Sequence, residues 1–223
     1  MKTRDRIIEE ARRLYNQLGY ANVSSATLAE HLAIAEGNLW YHFKTKRAIL
    51  SAISEGFARD IERRLARKPA AGADSVDEYA ALLQEVMVEL REYRFLYRDQ
   101  ADYGGHDDIV RQGAADWIER TQAQVRAYLK ALVAADLLDW PEERLADLAI
   151  NVTIIMRYGL DYFREIGAPI EAGGGAVRNT LLRHLTLFEH RLRPDIAIRL
   201  RLSLDRAQEE PVPQERARAE VGV

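Results

Sequence analysis

The stretch "VSSATLAEHLAIAEGNLWYHFKTKRAIL", residues 23–50, decides how the rest of the chain is read. Ser24 and Ser25 are suited to N-cap a short helix carrying Leu28, Ala29 and Leu32. Ala33-Ile34 leaves room only for a tight turn before Glu36–Phe43 resumes a helical pattern, with Leu39 and Phe43 four apart on its apolar side. Thr45 is placed to cap a longer helix that starts at about Lys46. Two short helices joined by a tight turn form the helix-turn-helix plan, whose second helix can enter the major groove of DNA.

Outward from this stretch the pattern stays helical. Ile7, Ile8, Ala11, Leu14, Tyr15 and Leu18 recur at helical spacing, and Gly19 follows them where a C-cap glycine is expected. Downstream, Ile49, Leu50, Ile53, Phe57, Ile61 and Leu65 line one face of a helix to about Arg67. Further helices are expected from Asp74 or Ser75 to about Arg98, and from beyond the loop DYGGHDD (102–108) to about Ala135. Two more follow, from Trp140-Pro141 to near Gly167 and from Ala176 to Arg193. Ile196, Ile198, Leu200, Leu202 and Leu204 alternate with period two, which fits a strand, yet an arginine-rich helix fits nearly as well. The fold class is all-α: an N-terminal three-helix DNA-binding domain at 1–47, then a helical domain at 48–204. Residues 205–223, polar and carrying two prolines, read as a disordered tail.

Composition narrows the function. A chain of 223 residues, 48% hydrophobic and 30% charged, can bury a sizeable core. With no cysteine there is no disulfide, thiolate metal site or cysteine nucleophile. MKTRDRIIEEARR lacks the apolar core of a signal peptide. The most apolar stretch, LADLAINVTIIMRYGLDYF, is interrupted by Asp147, Asn151, Arg157 and Asp161, so no membrane span is expected and the cytoplasm is. The net charge of −3 divides into +3 over residues 1–50 and −6 over the remainder. A basic end on an acidic body is the asymmetry expected where one end meets a polyanion.

With the helix-turn-helix placed, residues 23–50 resemble the DNA-binding domain of the TetR family of bacterial transcriptional regulators. The likeness lies in the amino-terminal helix, the helix-turn-helix and the Leu-aromatic-aromatic-His-Phe-Lys-x-Lys run into a fourth helix. Four positions depart from the family pattern. Ala33 and Ala35 stand where many members have a turn glycine and a capping Ser or Thr, Trp40 replaces the usual tyrosine, and Ala26 is too short for the base contact some members make there.

A recognition helix keeps apolar residues inward and offers hydrogen-bonding groups outward. Gly37 lets the helix approach base edges, Asn38 can hydrogen-bond a base or phosphate, and Tyr41 can do either. Glu36 is equally suited to accepting from a cytosine amino group or to the helix dipole. Lys46 joins a cation to the backbone N–H groups of a helix start, a pairing suited to phosphate. The resemblance implies phosphate contacts at Ser25, Trp40, Tyr41, His42 and Lys46, and Lys44 adds to the field.

The resemblance also implies a helical body that dimerises through its last two major helices, here with Leu148, Ile155, Leu181, Leu182, Leu185 and Phe188. It implies an effector cavity inside each body, and so a homodimeric repressor released from a palindromic operator by a small molecule. Candidate lining residues are Met87, Tyr93, Phe95, Tyr97, Tyr103, Trp117, Tyr128, Met156, Arg157, Tyr158 and Tyr162. Arg157 is expected to pair with Asp161, four residues on, or else to receive an anionic ligand. The alternatives are a helical enzyme and a protein-binding adaptor. Against the enzyme, the five histidines form no i,i+4 pair, and Gly173-Gly174-Gly175 lacks the Lys-Ser/Thr of a phosphate loop. His106-Asp107-Asp108 fits a helix start better than a metal site. No cofactor and no metal are expected.

Overall fold

A computed structural model describes residues 2–103, 108–170, 173 and 175–205. The expected tail from 206 onward, Gly174, and His106-Asp107 all lie outside the described residues. Eleven α-helices are described: α1 (Thr3–Leu18), α2 (Ser25–His31), α3 (Glu36–His42), α4 (Lys46–Leu65), α5 (Ser75–Glu92), α6 (Phe95–Arg98), α7 (Gln100–Tyr103), α8 (Asp108–Ala134), α9 (Leu145–Glu165), α10 (Ala176–Leu185) and α11 (Pro194–Asp205). Among the described residues there is no strand, only an isolated antiparallel bridge between Leu138 and Leu192.

The helices form two compact units. The first takes residues 1–66 and 88–120, the second 67–87 and the chain from 121. Helix α4 and the segment 88–120 therefore pack with the three N-terminal helices, whereas the sequence places the division at 47/48.

In the first unit, Ile7, Ala11, Leu14 and Tyr15 of α1 bury one stripe against Leu28, Leu39, Phe43, Ile49, Leu50, Ile53 and Phe57. Gly19 ends α1 at φ +89°, a conformation that favours glycine, and its N–H donates to the Tyr15 carbonyl. Carbonyls of the same last turn are also met by side chains from further along the chain. Arg98 donates to the Tyr15 and Asn16 carbonyls at 2.8 and 2.9 Å, and Arg94 to Asn16 at 3.1 Å. Guanidinium groups on the last carbonyls of a helix satisfy orphaned acceptors and complement its dipole.

Asn16 explains why the helix expected to run to Arg98 breaks after Glu92. Its amide donates to the Glu92 carbonyl at 2.7 Å and accepts from the Phe95 N–H at 3.0 Å, taking the place of helical partners. In the same unit Arg64 is buried, and its Nε donates to both Glu89 carboxylate oxygens at 2.9 Å.

In the second unit, α9 and α10 cross closely because Gly159 faces Thr180. A Cβ built on Gly159 would lie 2.5 Å from Thr180 Oγ1 and 3.0 Å from its Cβ. Helix α10 was expected to reach Arg193 and stops at Leu185. Beyond it the Asp139 N–H donates to the Arg191 carbonyl at 2.9 Å, and the Arg193 N–H to Leu137 at 3.3 Å, which draws the chain into the bridge. Pro194 then opens α11, which settles 196–204 as helix. Ile196, Leu200 and Leu204 are buried at every fourth position, while Ile198 and Leu202 face solvent, so the alternation in sequence has no structural counterpart. Asp205, assigned to the tail from sequence, closes α11 and pairs with Arg178.

His184 on α10 is fully buried beside Tyr79 and Phe188, with ring centroids 5.8 and 5.7 Å away. Its Nδ1 donates to the Leu181 carbonyl, and burial holds its pKa down to about 4.

Two stability outcomes follow from these contacts. Gly159→Ala should cost about 1–3 kcal/mol by overpacking a fully buried threonine, lowering Tm by several degrees. Above about pH 6.5 His184 is neutral whether folded or unfolded and adds no pH dependence. Below that, the unfolded chain binds the proton and the folded chain does not until about pH 4, so stability falls as pH drops through this window. Urea titrations at about pH 7 and 5 should show that His184→Leu removes on the order of 1 kcal/mol per pH unit of this fall.

Candidate nucleic-acid interface

Helix α3 has its two inner residues where the sequence places them, with Leu39 fully buried and Phe43 4% exposed. Ile34, half-buried in the turn, anchors the approach through its N–H to the Ala29 carbonyl at 3.0 Å. The turn itself is strained: Ala33 sits at φ +52°, in the left-handed region that costs a side chain about 1 kcal/mol or more. Ala35 is the N-cap of α3 and has no side chain able to accept from its first turn. Both departures from the family pattern thus have a physical consequence.

The outer face of α3 is open. Glu36, Gly37, Asn38 and Tyr41 are exposed, Tyr41 to 77%, and a Cβ on Gly37 would meet nothing within 4 Å. Trp40 and His42 are half-buried, and the His42 ring stands edge-on to Tyr41 with centroids 5.2 Å apart. Lys44 is exposed just beyond. Ser24 rather than Ser25 caps α2, accepting from the Thr27 N–H at 3.0 Å, which leaves Ser25 as the first residue of the helix. Thr45 caps α4, accepting from the Ala48 N–H at 3.0 Å.

Lys46, the first residue of α4, is half-buried. Its ammonium donates to the Tyr20 carbonyl at 2.5 Å and lies over the Tyr20 ring at 4.2 Å and the Tyr15 ring at 5.8 Å. Burial holds its pKa below the ordinary lysine value, opposed by the Asp102 carboxylate.

The candidate effector residues separate into two groups. In the first unit, Tyr93, Tyr97 and Trp117 surround the buried Phe57 ring at 4.9, 5.5 and 5.4 Å. Tyr93 donates to Asp60 at 2.7 Å and carries the Arg12 guanidinium over its ring. Phe95 and Tyr103 are core, with the Tyr103 hydroxyl donating to the Phe95 carbonyl at 3.1 Å. In the second unit Met87, Tyr128 and Met156 are buried. Tyr158 and Tyr162, expected to line a cavity, point outward instead and are 59% and 49% exposed. Arg157 lays its guanidinium over the Tyr158 ring at 5.6 Å, and the Asp161 carboxylate pairs with Arg164 at 3.2 Å.

Sequence reading missed Tyr79 and His184. The Tyr79 hydroxyl, His184 Nε2 and the Tyr128 hydroxyl are buried in the second unit with no hydrogen-bond partner among the described residues. Since Nδ1 of His184 carries the proton, its Nε2 presents a lone pair. Nothing in the local sequence pattern marks a buried neutral histidine.

Two family models match the chain: "Bacterial regulatory proteins, tetR family" over residues 7–53 and "Bacterial transcriptional repressor" (TetR) over 56–196. The HTH-type transcriptional regulator UidR of Escherichia coli strain K12 is 36% identical over 179 residues, covering 76% of this chain and 82% of that one. The tetracycline repressor protein class C of Escherichia coli is 28% identical over 123 residues, 55% of this chain and 52% of that one. In fold, a TetR-family transcriptional regulator from Marinobacter aquaeolei VT8 superposes with a TM-score of 0.71 at 24% identity, covering 93% of this chain and all of that one. The chain belongs to the TetR family: it is a DNA-binding regulator of transcription and not an enzyme.

Relieving the two alanines gives a direct check on the local energetics. Ala33→Gly and Ala35→Ser should each stabilise the protein by about 1 kcal/mol, read as a higher urea midpoint at unchanged m.

Proposed function

We propose that this regulator is a homodimeric repressor that leaves a palindromic operator when a small molecule binds its body. Residues 1–47 act as the reading head and 48–204 as the effector-binding and dimerisation body. The observation that carries the reading is the outer face of α3, where Gly37, Asn38 and Tyr41 stand clear of the protein with Trp40, His42 and Lys44 beside them. Asn38 and Tyr41 are suited to base edges, and the rim, with Ser25 and the first-turn N–H groups of α4, to phosphate. Repression is supported by the relatives that are themselves named repressors.

Dimerisation is supported by an apolar stripe on α9. Ile150, Ile154, Tyr158, Tyr162 and Ile166 follow one another at intervals of four and are each 41% exposed or more. A contiguous exposed stripe of this kind marks an interaction surface. Leu148, Leu181, Leu185 and Phe188, assigned to the interface from sequence, are already buried within one chain, so the stripe takes their place. A two-fold dimer carries its recognition helices about one DNA turn apart, roughly 34–36 Å, and reads a palindrome.

Effector binding is supported by the buried polar atoms of Tyr79, Tyr128 and His184, which offer hydrogen bonds to a bound molecule among apolar neighbours such as Met87 and Met156. A ligand that favours a body conformation with misplaced heads lowers operator affinity by its coupling energy. About 1–3 kcal/mol gives a 5–150-fold change.

Selecting duplexes from a random pool with purified protein should enrich a palindrome with half-sites one turn apart. Ile154→Glu should then yield monomers in sedimentation and weaken binding to that palindrome by about 100-fold or more. Failure to enrich any palindrome, or tight binding by monomers, would contradict the proposal.

A further inference from the structure

Two buried ridges meet in the second unit. Tyr79, Leu83 and Met87 follow one another at intervals of four along α5 and are fully buried. Thr180 and His184 of α10, with Phe188 just beyond it, do the same. The Tyr79 ring lies 5.8 Å from that of His184 and 6.2 Å from that of Phe188, centroid to centroid. This would be ordinary core but for two atoms. The Tyr79 hydroxyl and His184 Nε2 have no hydrogen-bond partner among the described residues, not even each other. A buried polar atom left unpaired is costly, and phenylalanine or leucine would fill such space without that cost.

The pair has a fixed hydrogen-bonding character. His184 Nδ1 donates its proton to the Leu181 carbonyl, so Nε2 can only accept. Burial disfavours the imidazolium and, at Tyr79, the phenolate, so the ring stays neutral and the hydroxyl keeps its proton at neutral pH. A group that satisfies both atoms must donate to Nε2 and accept from the Tyr79 O–H. A hydroxyl does both with one oxygen.

The surroundings select against charge. Among the described residues of the second unit no Asp, Glu, Lys or Arg is buried, and the buried polar side chains are Ser75, Gln124, Thr180 and His184. Arg157, the candidate for receiving an anion, lays its guanidinium over the exposed Tyr158 ring instead. A ligand that carried a charge to Tyr79 and His184 would lose its water with no buried opposite charge to meet it.

We infer that Tyr79 and His184 form the polar end of an effector site for an uncharged, hydroxyl-bearing molecule, whose hydroxyl donates to His184 Nε2 and accepts from Tyr79 while its apolar part lies against Phe188. The inference rests on the effector reading above and deepens it by naming the class of ligand.

The test is a matched series of probes on the full chain: benzyl alcohol, benzyl methyl ether, benzoate and benzylammonium. Each is titrated at neutral pH to about 10 mM, a range suited to so small a ligand. Benzyl alcohol is expected to raise Tm. The ether, which cannot donate, and both ions are expected to bind about tenfold more weakly or worse. Tyr79→Phe and His184→Leu remove the polar atoms, and each is expected to weaken benzyl alcohol by about tenfold. Tyr79→Phe is expected to have an unchanged or higher Tm without probe, since it deletes only an unpaired hydroxyl. Should His184→Leu fail to fold, Tyr79→Phe alone decides. If an ion or the ether binds as tightly as benzyl alcohol and is lost in Tyr79→Phe, the ligand class is overturned and the effector site stands. Binding that neither variant disturbs, or no rise in Tm from any probe, overturns the site at these residues and the inference with it.

Discussion

Helix α3 has seven residues, too few to persist in water by its own hydrogen bonds, and its N-cap is an alanine that accepts nothing. What holds it is the burial of Leu39 and Phe43 against α1, α2 and α4. Fully burying two such side chains contributes about 3–6 kcal/mol, enough to offset a missing cap and a strained Ala33 of about 1 kcal/mol each. Every outward group on α3 takes its direction from those two inward ones. If Leu39 turned, Gly37, Asn38 and Tyr41 would turn with it. The recognition surface is therefore a product of the core.

A second constraint acts at the other end of the first unit. The C-terminus of α1 is met by Arg94 and Arg98, the Tyr20 N–H by Asp99, and the amide of Asn16 spans the break between α5 and α6. Arg98 also donates to Asp99 at 2.5 and 2.9 Å, so acceptor and donor ends of the joint hold one another. The bonds to the Tyr20 and Phe95 N–H groups are buried and the others partly buried, and such polar networks specify one arrangement because a partly satisfied one is costly. They tie the helices that present α3 to residues 94–99. A change in the path of α6 is thereby a change in the support of α1 and, through α1, of α3.

Much of this was legible in the sequence, for physical reasons that differ from place to place. The three N-terminal helices were read within a residue or two because their signals are local: a 3.6-residue apolar stripe, Gly19 past the end of α1, Ser24 and Thr45 at starts. The break after Glu92 was not legible, because it depends on Asn16, some eighty residues away. The end of α10 was missed likewise, since the Leu138–Leu192 bridge that draws out the chain is non-local. Ile196 to Leu204 stayed open between strand and helix, because their alternation suits a strand while a helix places Ile196, Leu200 and Leu204 on one buried face. In the candidate site, the direction of each α3 side chain followed from Leu39 and Phe43. The contact of Lys46 with the Tyr20 carbonyl did not, and neither did the outward turn of Tyr158 and Tyr162, because periodicity identifies a face without saying what lies opposite it.

The central claim is that the open face of α3, with its aromatic and basic rim, lies on DNA in each half of a symmetric complex. Ethylation interference on an operator fragment reads phosphate contacts one by one. The account predicts two equivalent clusters of sensitive phosphates, related by the dyad of the site and flanking successive major grooves about one helical turn apart. A single cluster, or a fragment bound with no sensitive phosphate, would contradict it.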